Sequence, residues 1–273
     1  MPPRPPDMVA GRRGPGDDLA DELLGVADEA AAAAAGIIRA EVGRARLDVS
    51  TKSSDTDLVS EVDRAAERCV VTAVTNRRPD DGILAEEGSA RVGTSGVRWV
   101  IDPLDGTTNF LFGVPAYAVS VAAELDGRAI VGVVVDPARQ ETWRAVRGRG
   151  ATLDDRPLRV RPFSAPVATA LVATGFSYLP ERRAQQARVV SHVLPRVRDI
   201  RRFGAAALDL CWVGGNRFSA FYEQGLQPWD LAAGVLIATE AGAEATLLAD
   251  GTTVVAAPGL LAPLRALIEA GAG

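Results

Sequence analysis

An apolar stretch, Trp99-Val100-Ile101, runs straight into two aspartates three residues apart, Asp102 and Asp105. Pro103 stiffens the turn between them, and Gly106-Thr107-Thr108-Asn109 follows. Two carboxylates at the end of a buried strand repel one another and are costly to desolvate. A divalent cation removes both problems, and Mg²⁺ takes hard oxygen ligands while keeping several of its waters. The backbone carbonyl of Leu104, between the acids, is placed to serve as a further ligand. Beyond them, the N–H groups of Gly106 and Thr107 can hold a phosphate oxygen, as helix N-termini do. A bare Asp-x-x-Asp more often shapes a turn and caps a helix. The whole run, coming after a strand, points instead to metal and phosphate.

Other acids can complete such a site. Glu86 and Glu87 follow the strand-like Gly82-Ile83-Leu84-Ala85, although such a pair alone reads as surface charge. Asp230, in Gln227-Pro228-Trp229-Asp230, falls in the first turn of a helix, where an acid also suits the macrodipole. Asp63 closes Ser60-Glu61-Val62-Asp63, which has the form of a capping box. Other chemistries find little support. The only histidine, His192, lies inside an apolar-periodic helix and reads as a partly buried core residue rather than a triad member. There is no Gly-x-x-x-x-Gly-Lys-[Ser/Thr] loop, no Gly-x-Gly-x-x-Gly after a strand and no Cys-x₅-Arg loop.

The elements that must position these residues can be read from periodicity. Residues 17–45 carry an apolar stripe at steps of three and four, which predicts a long amphipathic helix. A second helix is predicted over 61–76, opened by Ser60. Residues 82–86 and 97–101 read as short buried strands. Residues 117–125 and 129–136 read as strands joined by the hairpin signal Asp126-Gly127, and 141–146 as a third, giving an antiparallel meander. The second half alternates strand and helix: strands at 169–174 and 218–223, helices at 181–193, 204–213, 229–241 and 260–270. This order predicts layers of helix and sheet.

The chain has 273 residues, 47% apolar and 24% charged, with a formal net charge of −5. Such a balance argues against a nucleic-acid binder that works by neutralising backbone phosphates. Arg196, Arg198, Arg201 and Arg202 cluster, but Val197 and Ile200 interrupt them. They read as a solvated face or as a positive rim that draws in an anionic substrate. Cys69 and Cys211 sit in apolar helical contexts and suggest buried thiols in a reducing compartment. Residues 1–16 are rich in Pro, Gly and Arg, lack the apolar core of a signal peptide and predict a disordered tail. The mostly alanine run 30–38 is too short to span a membrane. The expectation is a cytoplasmic protein with no membrane and no nucleic-acid partner.

From about residue 17 onward the chain resembles the inositol monophosphatase family. The likeness is carried by Lys52-Ser53-Ser54-Asp55-Thr56-Asp57-Leu58-Val59-Ser60-Glu61-Val62-Asp63, by Ala85-Glu86-Glu87-Gly88, by the run from Trp99 to Phe110, and by Pro228-Trp229-Asp230-Leu231-Ala232-Ala233-Gly234 with Glu240-Ala241-Gly242. The resemblance implies an αβαβα layered α/β fold in one phosphatase domain, 17–273, with an antiparallel meander sheet in the half 17–160 and a mixed sheet in the half 161–273. It implies a homodimer that hydrolyses a small phosphorylated polyol, inositol 1-phosphate first, with inhibition by Li⁺. Histidinol phosphate, fructose 1,6-bisphosphate and 3′-phosphoadenosine 5′-phosphate are the alternative substrates. A non-catalytic regulator that binds metal and phosphate is the alternative of another class.

The same resemblance implies two to three Mg²⁺ ions. Glu86, Asp102 and the Leu104 carbonyl would hold one, and Asp102, Asp105 and Asp230 a second. A looser third would sit near Glu86. Asp63 and Thr107 would orient and activate the attacking water, with Glu86 beside them. Substrate would lie against Glu86, Leu104, Asp105, Gly106, Thr107 and Asp230, and its ring against Gly204, Ala205, Ala206 and Glu223. The sequence departs from the family pattern at Ala205, where Ser or Thr is common, and in Phe110-Leu111-Phe112-Gly113, which lacks a His common before that glycine.

Overall fold

The computed structural model describes residues 15–42 and 55–272. Helix α1 (Pro15–Glu41) and helix α2 (Asp55–Arg77) form the first layer. Leu23, Ala27, Ala30, Ala31, Ala34 and Ile38 of α1 are wholly buried. The alanines let the two helices approach closely, while the larger side chains reach the sheet behind.

That sheet contains β1 (Gly82–Ala85), β2 (Ala90–Arg91) and β3 (Val97–Asp105). A short helix, α3 (Thr107–Phe112), follows directly. The meander β4 (Ala118–Leu125), β5 (Arg128–Asp136), β6 (Glu141–Val146), β7 (Gly150–Leu153) and β8 (Arg156–Pro157) completes it. The strand order is β2-β1-β3-β4-β5-β6-β7-β8. The β1–β3 pair is parallel and the rest antiparallel, so the expected meander is found in β4 to β6, runs on into β7 and β8, and the sheet as a whole is mixed.

The second sheet has the order β10-β9-β11-β13-β12. It is built from β9 (Leu171–Thr174), helix α4 (Pro180–Val193), β10 (Asp199–Arg201), helix α5 (Ala206–Gly214), β11 (Ala220–Gln224), helix α6 (Pro228–Glu240), β12 (Glu244–Leu247), β13 (Thr252–Ala256) and helix α7 (Leu261–Ala272). Helices α5 and α6 lie between the sheets, and α4 packs with α7 on the outer face of the second. The layers therefore run α, β, α, β, α, as expected.

The first sheet is buried on both faces. Trp99 and Ile101 point to the α1–α2 core, whereas Val100 points to the α5–α6 core. This is why β3 reads as a continuous apolar run rather than an alternating one. Gly132 of β5 marks the closest approach of α6, since a Cβ there would lie 3.0 Å from the Ala233 Cα.

Several boundaries differ from expectation. Helix α2 begins at Asp55, so Ser60 lies inside it and Ser60–Asp63 is not its start. Strand β3 runs on through Asp105 instead of stopping at Ile101. Pro15 and Gly16 open α1, and the rest of the expected tail lies outside the described residues. Strands β2, β7, β8, β10, β12 and β13 were not expected; most are short, and β12 is largely exposed on the sheet edge.

Candidate active site

The decisive local feature is a β-bulge. Asp102 pairs with Ser120 of β4, yet Asp105 pairs with Ala118. Three steps along β3 match two along β4, so one extra residue is accommodated between the aspartates. A spacing of three would place them on opposite faces; the bulge brings them to one side. The Leu104 N–H donates to Asp102 Oδ1 at 3.0 Å and fixes the turn.

Gly106 then links β3 to α3 at φ 89. A Cβ there would lie 2.8 Å from the Ala116 carbonyl oxygen, so only glycine fits. The Thr107 hydroxyl donates to the Leu104 carbonyl at 3.0 Å. Asn109 donates to the carbonyls of Ala116 and Phe203, both at 2.6 Å, and so ties α3 to the loop before α5. Asp105 reaches across to the second half: its oxygens accept the N–H groups of Ala206 at 3.2 Å and Ala207 at 2.7 Å, capping α5.

Asp102, Leu104, Asp105, Gly106, Thr107 and Ala206 line a cavity of ≈ 280 Å³ together with Glu86, Gly204, Glu223 and Asp230. Asp230 keeps its helix role as well, accepting the Gln227 N–H at 2.6 Å. Two expected residues do not line it. Ala205 is fully buried and packs towards Gly106. Asp63 lies behind the cavity wall on α2, 4% exposed, and its Oδ1 has no hydrogen-bond partner among the described residues. His192, on α4, is also outside it.

Crowding of like charges governs the electrostatics. Burial raises the Asp102 carboxyl well above its ordinary range, and Glu86, Asp105 and Asp230 add to this. Glu86 is raised chiefly by burial, against a hydrogen bond shared with Asp102. Asp105 is pushed up to about 8 by burial and then by Asp230, against the Ala207 N–H. Asp63 is pushed up to about 8 by burial, with Glu87, Glu86 and Glu67 adding to it. Glu223 is raised to about 7 by burial, opposed by the Arg202 guanidinium.

The donors are all hard oxygens, and their mutual repulsion is what a divalent cation would relieve. Among the described residues no group of three or more acidic, His or Cys side chains is already gathered into a ligand cage. Asp230 accepts the Gln227 N–H at the start of its own helix, and the Asp102 carboxyl lies within hydrogen-bonding reach of Glu86. The donor chemistry and the orphaned Asp63 oxygen suit a hard cation.

Sequence reasoning saw the basic side of the cavity only as an arginine cluster and missed Arg182. Arg182 of α4 and Arg202 both line it, with Phe176, Ser177 and Tyr178. Arg202 folds across Gly204, at φ 80, where any Cβ would overlap its guanidinium. Gly175 similarly leaves room for the Glu223 carboxylate. Of the clustered arginines, only Arg202 forms the expected rim. Arg196 and Arg198 bond backbone carbonyls, and Arg201 pairs with Asp199. The signal was Gly204, two residues after Arg202.

Two sheets in a five-layer α/β sandwich close on one carboxylate-lined cavity. Residues 19–272 match the model of the inositol monophosphatase family, and the chain belongs to that family, which is one of phosphatases. It is 41% identical to the inositol-1-monophosphatase SuhB of Mycobacterium tuberculosis, covering 97% of this chain and 96% of that one. The solved structure of Mycobacterium tuberculosis SuhB superposes with a TM-score of 0.82 over 93% of this chain and 98% of that one. The Nus factor SuhB of Vibrio cholerae is 40% identical over 84% of this chain and 86% of its own.

Proposed function

We propose that this chain is a Mg²⁺-dependent phosphomonoesterase that converts inositol 1-phosphate and water to inositol and phosphate. The observation that carries the reading is the convergence of Glu86, Asp102, Asp105 and Asp230 on one cavity beside Gly106 and Thr107. Glu86, Asp102 and the Leu104 carbonyl would hold one Mg²⁺, Asp102, Asp105 and Asp230 another, and a looser third would sit near Glu86. Bound there, the ions supply an acidified water and stabilise charge on the phosphoryl oxygens. Uncatalysed monoester hydrolysis is slow enough that enzymes accelerate it by up to ~10²¹-fold.

The chain's own residues supply the rest. The N–H groups of Gly106 and Thr107 face the phosphate, as at other helix N-termini. Asp63, buried beside Glu86 behind the cavity wall, would act with Thr107 to orient and activate the attacking water. The Thr107 hydroxyl, anchored on Leu104, orients that water. Glu223 accepts hydrogen bonds from ring hydroxyls, and Arg202 donates to them across Gly204. The two guanidinium groups oppose a cationic leaving group, which favours a neutral polyol over histidinol phosphate. The Ala205 side chain makes no substrate contact.

Further parts of the reading are a homodimer in the cytoplasm and inhibition by Li⁺. No helix among the described residues is long and apolar enough to cross a membrane. The test is a phosphate-release panel with inositol 1-phosphate, histidinol phosphate, fructose 1,6-bisphosphate and 3′-phosphoadenosine 5′-phosphate. Mg²⁺-dependent release from the first, abolished by EDTA, is expected; a preference for histidinol phosphate sinks the substrate reading. A second reading, a non-catalytic regulator, is favoured by relatives named Nus factor SuhB. It takes over if the purified chain releases phosphate from none of the four esters.

A further inference from the structure

Glu67 follows Asp63 by one turn of α2, and nothing above gives it a role. It is 4% exposed. Its two oxygens accept two different backbone donors: Oε2 takes the Glu87 N–H at 2.8 Å and Oε1 the Ser89 N–H at 3.1 Å. Both donors belong to the turn that follows β1. That turn is closed by the Ala85 N–H on the Ser89 carbonyl at 2.9 Å, with Gly88 at φ 106. Its first residue, Glu86, is fastened to β3 through its N–H on the Ile101 carbonyl at 3.2 Å. One carboxylate from the helix layer therefore grips the turn that presents Glu86 to the cavity.

The chemical form of this clamp is informative. A neutral amide or hydroxyl could accept an N–H without bringing a charge. A buried carboxylate without a cation is costly, and more so beside other acids. Asp81, in the same layer, shows the structural alternative: it is equally buried but paired with Arg78 and hydrogen-bonded by Trp99 and Ser95. Glu67 has no such ion pair among the described residues, and Asp63, Glu86 and Glu87 lie around it. Its charge adds to that of the acids in front of it, and its geometry sets the distance between helix α2 and the end of β1.

We infer that Glu67 is a positioning residue of the cation site, fixing Glu86 relative to Asp63 and adding negative charge behind both. The inference rests on the reading of Glu86 as a metal ligand. Residues that orient metal ligands typically cost 10–100-fold in metal affinity when replaced. E67Q keeps the shape, can accept only one of the two N–H groups and removes the charge.

The experiment is Mn²⁺ binding to the full chain, followed by the EPR signal of free Mn²⁺, with wild type, E67Q and D81N compared. E67Q is expected to raise the Mn²⁺ Kd by about tenfold or more. D81N is expected to lower Tm and leave that Kd unchanged, which separates positioning from stability. An E67Q Kd within twofold of wild type overturns the inference and leaves the proposed function standing. Absence of Mn²⁺ binding by wild type overturns both. Should E67Q fail to fold, E67D keeps the charge but falls one methylene short of the turn. Its Kd must then rise at least about threefold, and equality with wild type overturns the inference.

Discussion

The two walls of the cavity are made in opposite ways. The first-sheet wall is a set of carboxylates delivered by regular elements: Glu86 after β1, Asp102 and Asp105 at the bulged end of β3, with Asp63 on α2 behind them. The second-sheet wall is made by vacancies. Gly175 and Gly204 lack side chains so that Glu223 and Arg202 can lie where those side chains would be. One wall concentrates a single sign of charge, to which Asp230 of α6 adds from the other side. The other sets opposite charges against each other. In the proposed reading the chemistry rests on the first half of the chain together with Asp230, and selectivity on the rest of the second.

The largest effect should come from the first wall. Asp102→Asn removes the acid that the others surround, and turnover should fall by at least about 10³-fold, the scale on which preorganised electrostatic groups act. The fold should survive, because the change also removes a repelling buried charge. Residual turnover near wild type would mean that the two walls do not divide the work as described.

A second effect concerns stability against pH without metal. Asp63 and Asp105 titrate near 8 in the folded chain, far above the ordinary carboxylate value. Between those limits the folded state binds more protons than the unfolded one, so stability falls as pH rises. In EDTA, Tm should therefore drop steadily from about pH 4 towards pH 8. Added Mg²⁺ should restore most of the loss at pH 8. A Tm that is flat in EDTA over that range would show the acids to be relieved in some other way.

What the sequence disclosed follows the same division. Asp102 and Asp105 announce themselves because a buried strand running into two acids is hard to explain otherwise, whereas Glu86 and Asp230 each have an ordinary reading and stand out only in combination; the structure brings all four to one cavity. The layer order was legible from the alternation of periods. The short strands β7, β8 and β10 were not, because two to four residues carry no period to read. Arg202 was visible only as one of a cluster. Its selection depends on the φ of Gly204, which composition does not reveal. Glu67 was hidden for another reason: its partners are backbone N–H groups, which leave no mark on the sequence.

The second wall should respond in KM rather than in kcat. Arg202→Gln withdraws a charged donor from the leaving group, and hydrogen bonds to charged groups contribute about 1.5–3 kcal/mol. The KM for inositol 1-phosphate should rise about tenfold or more, with kcat nearly unchanged. A matching loss in kcat would place Arg202 with the phosphate instead and erase the contrast between the walls.

The smallest effect should come from the position where the two walls touch. Ala205 precedes α5, fully buried, its methyl directed at Gly106 rather than the cavity. A hydroxyl introduced by Ala205→Ser would meet the α3–α5 contact that Asn109 already ties together. It would reach no substrate. The KM for inositol 1-phosphate should stay within about twofold of wild type, since a new hydrogen bond to substrate would shift it by more than that. A fivefold fall in KM would show that the loop before α5 turns this side chain into the cavity when substrate binds. The second wall would then be an adaptable surface, while the carboxylate wall, held by a bulge and two sheet neighbours, stays fixed.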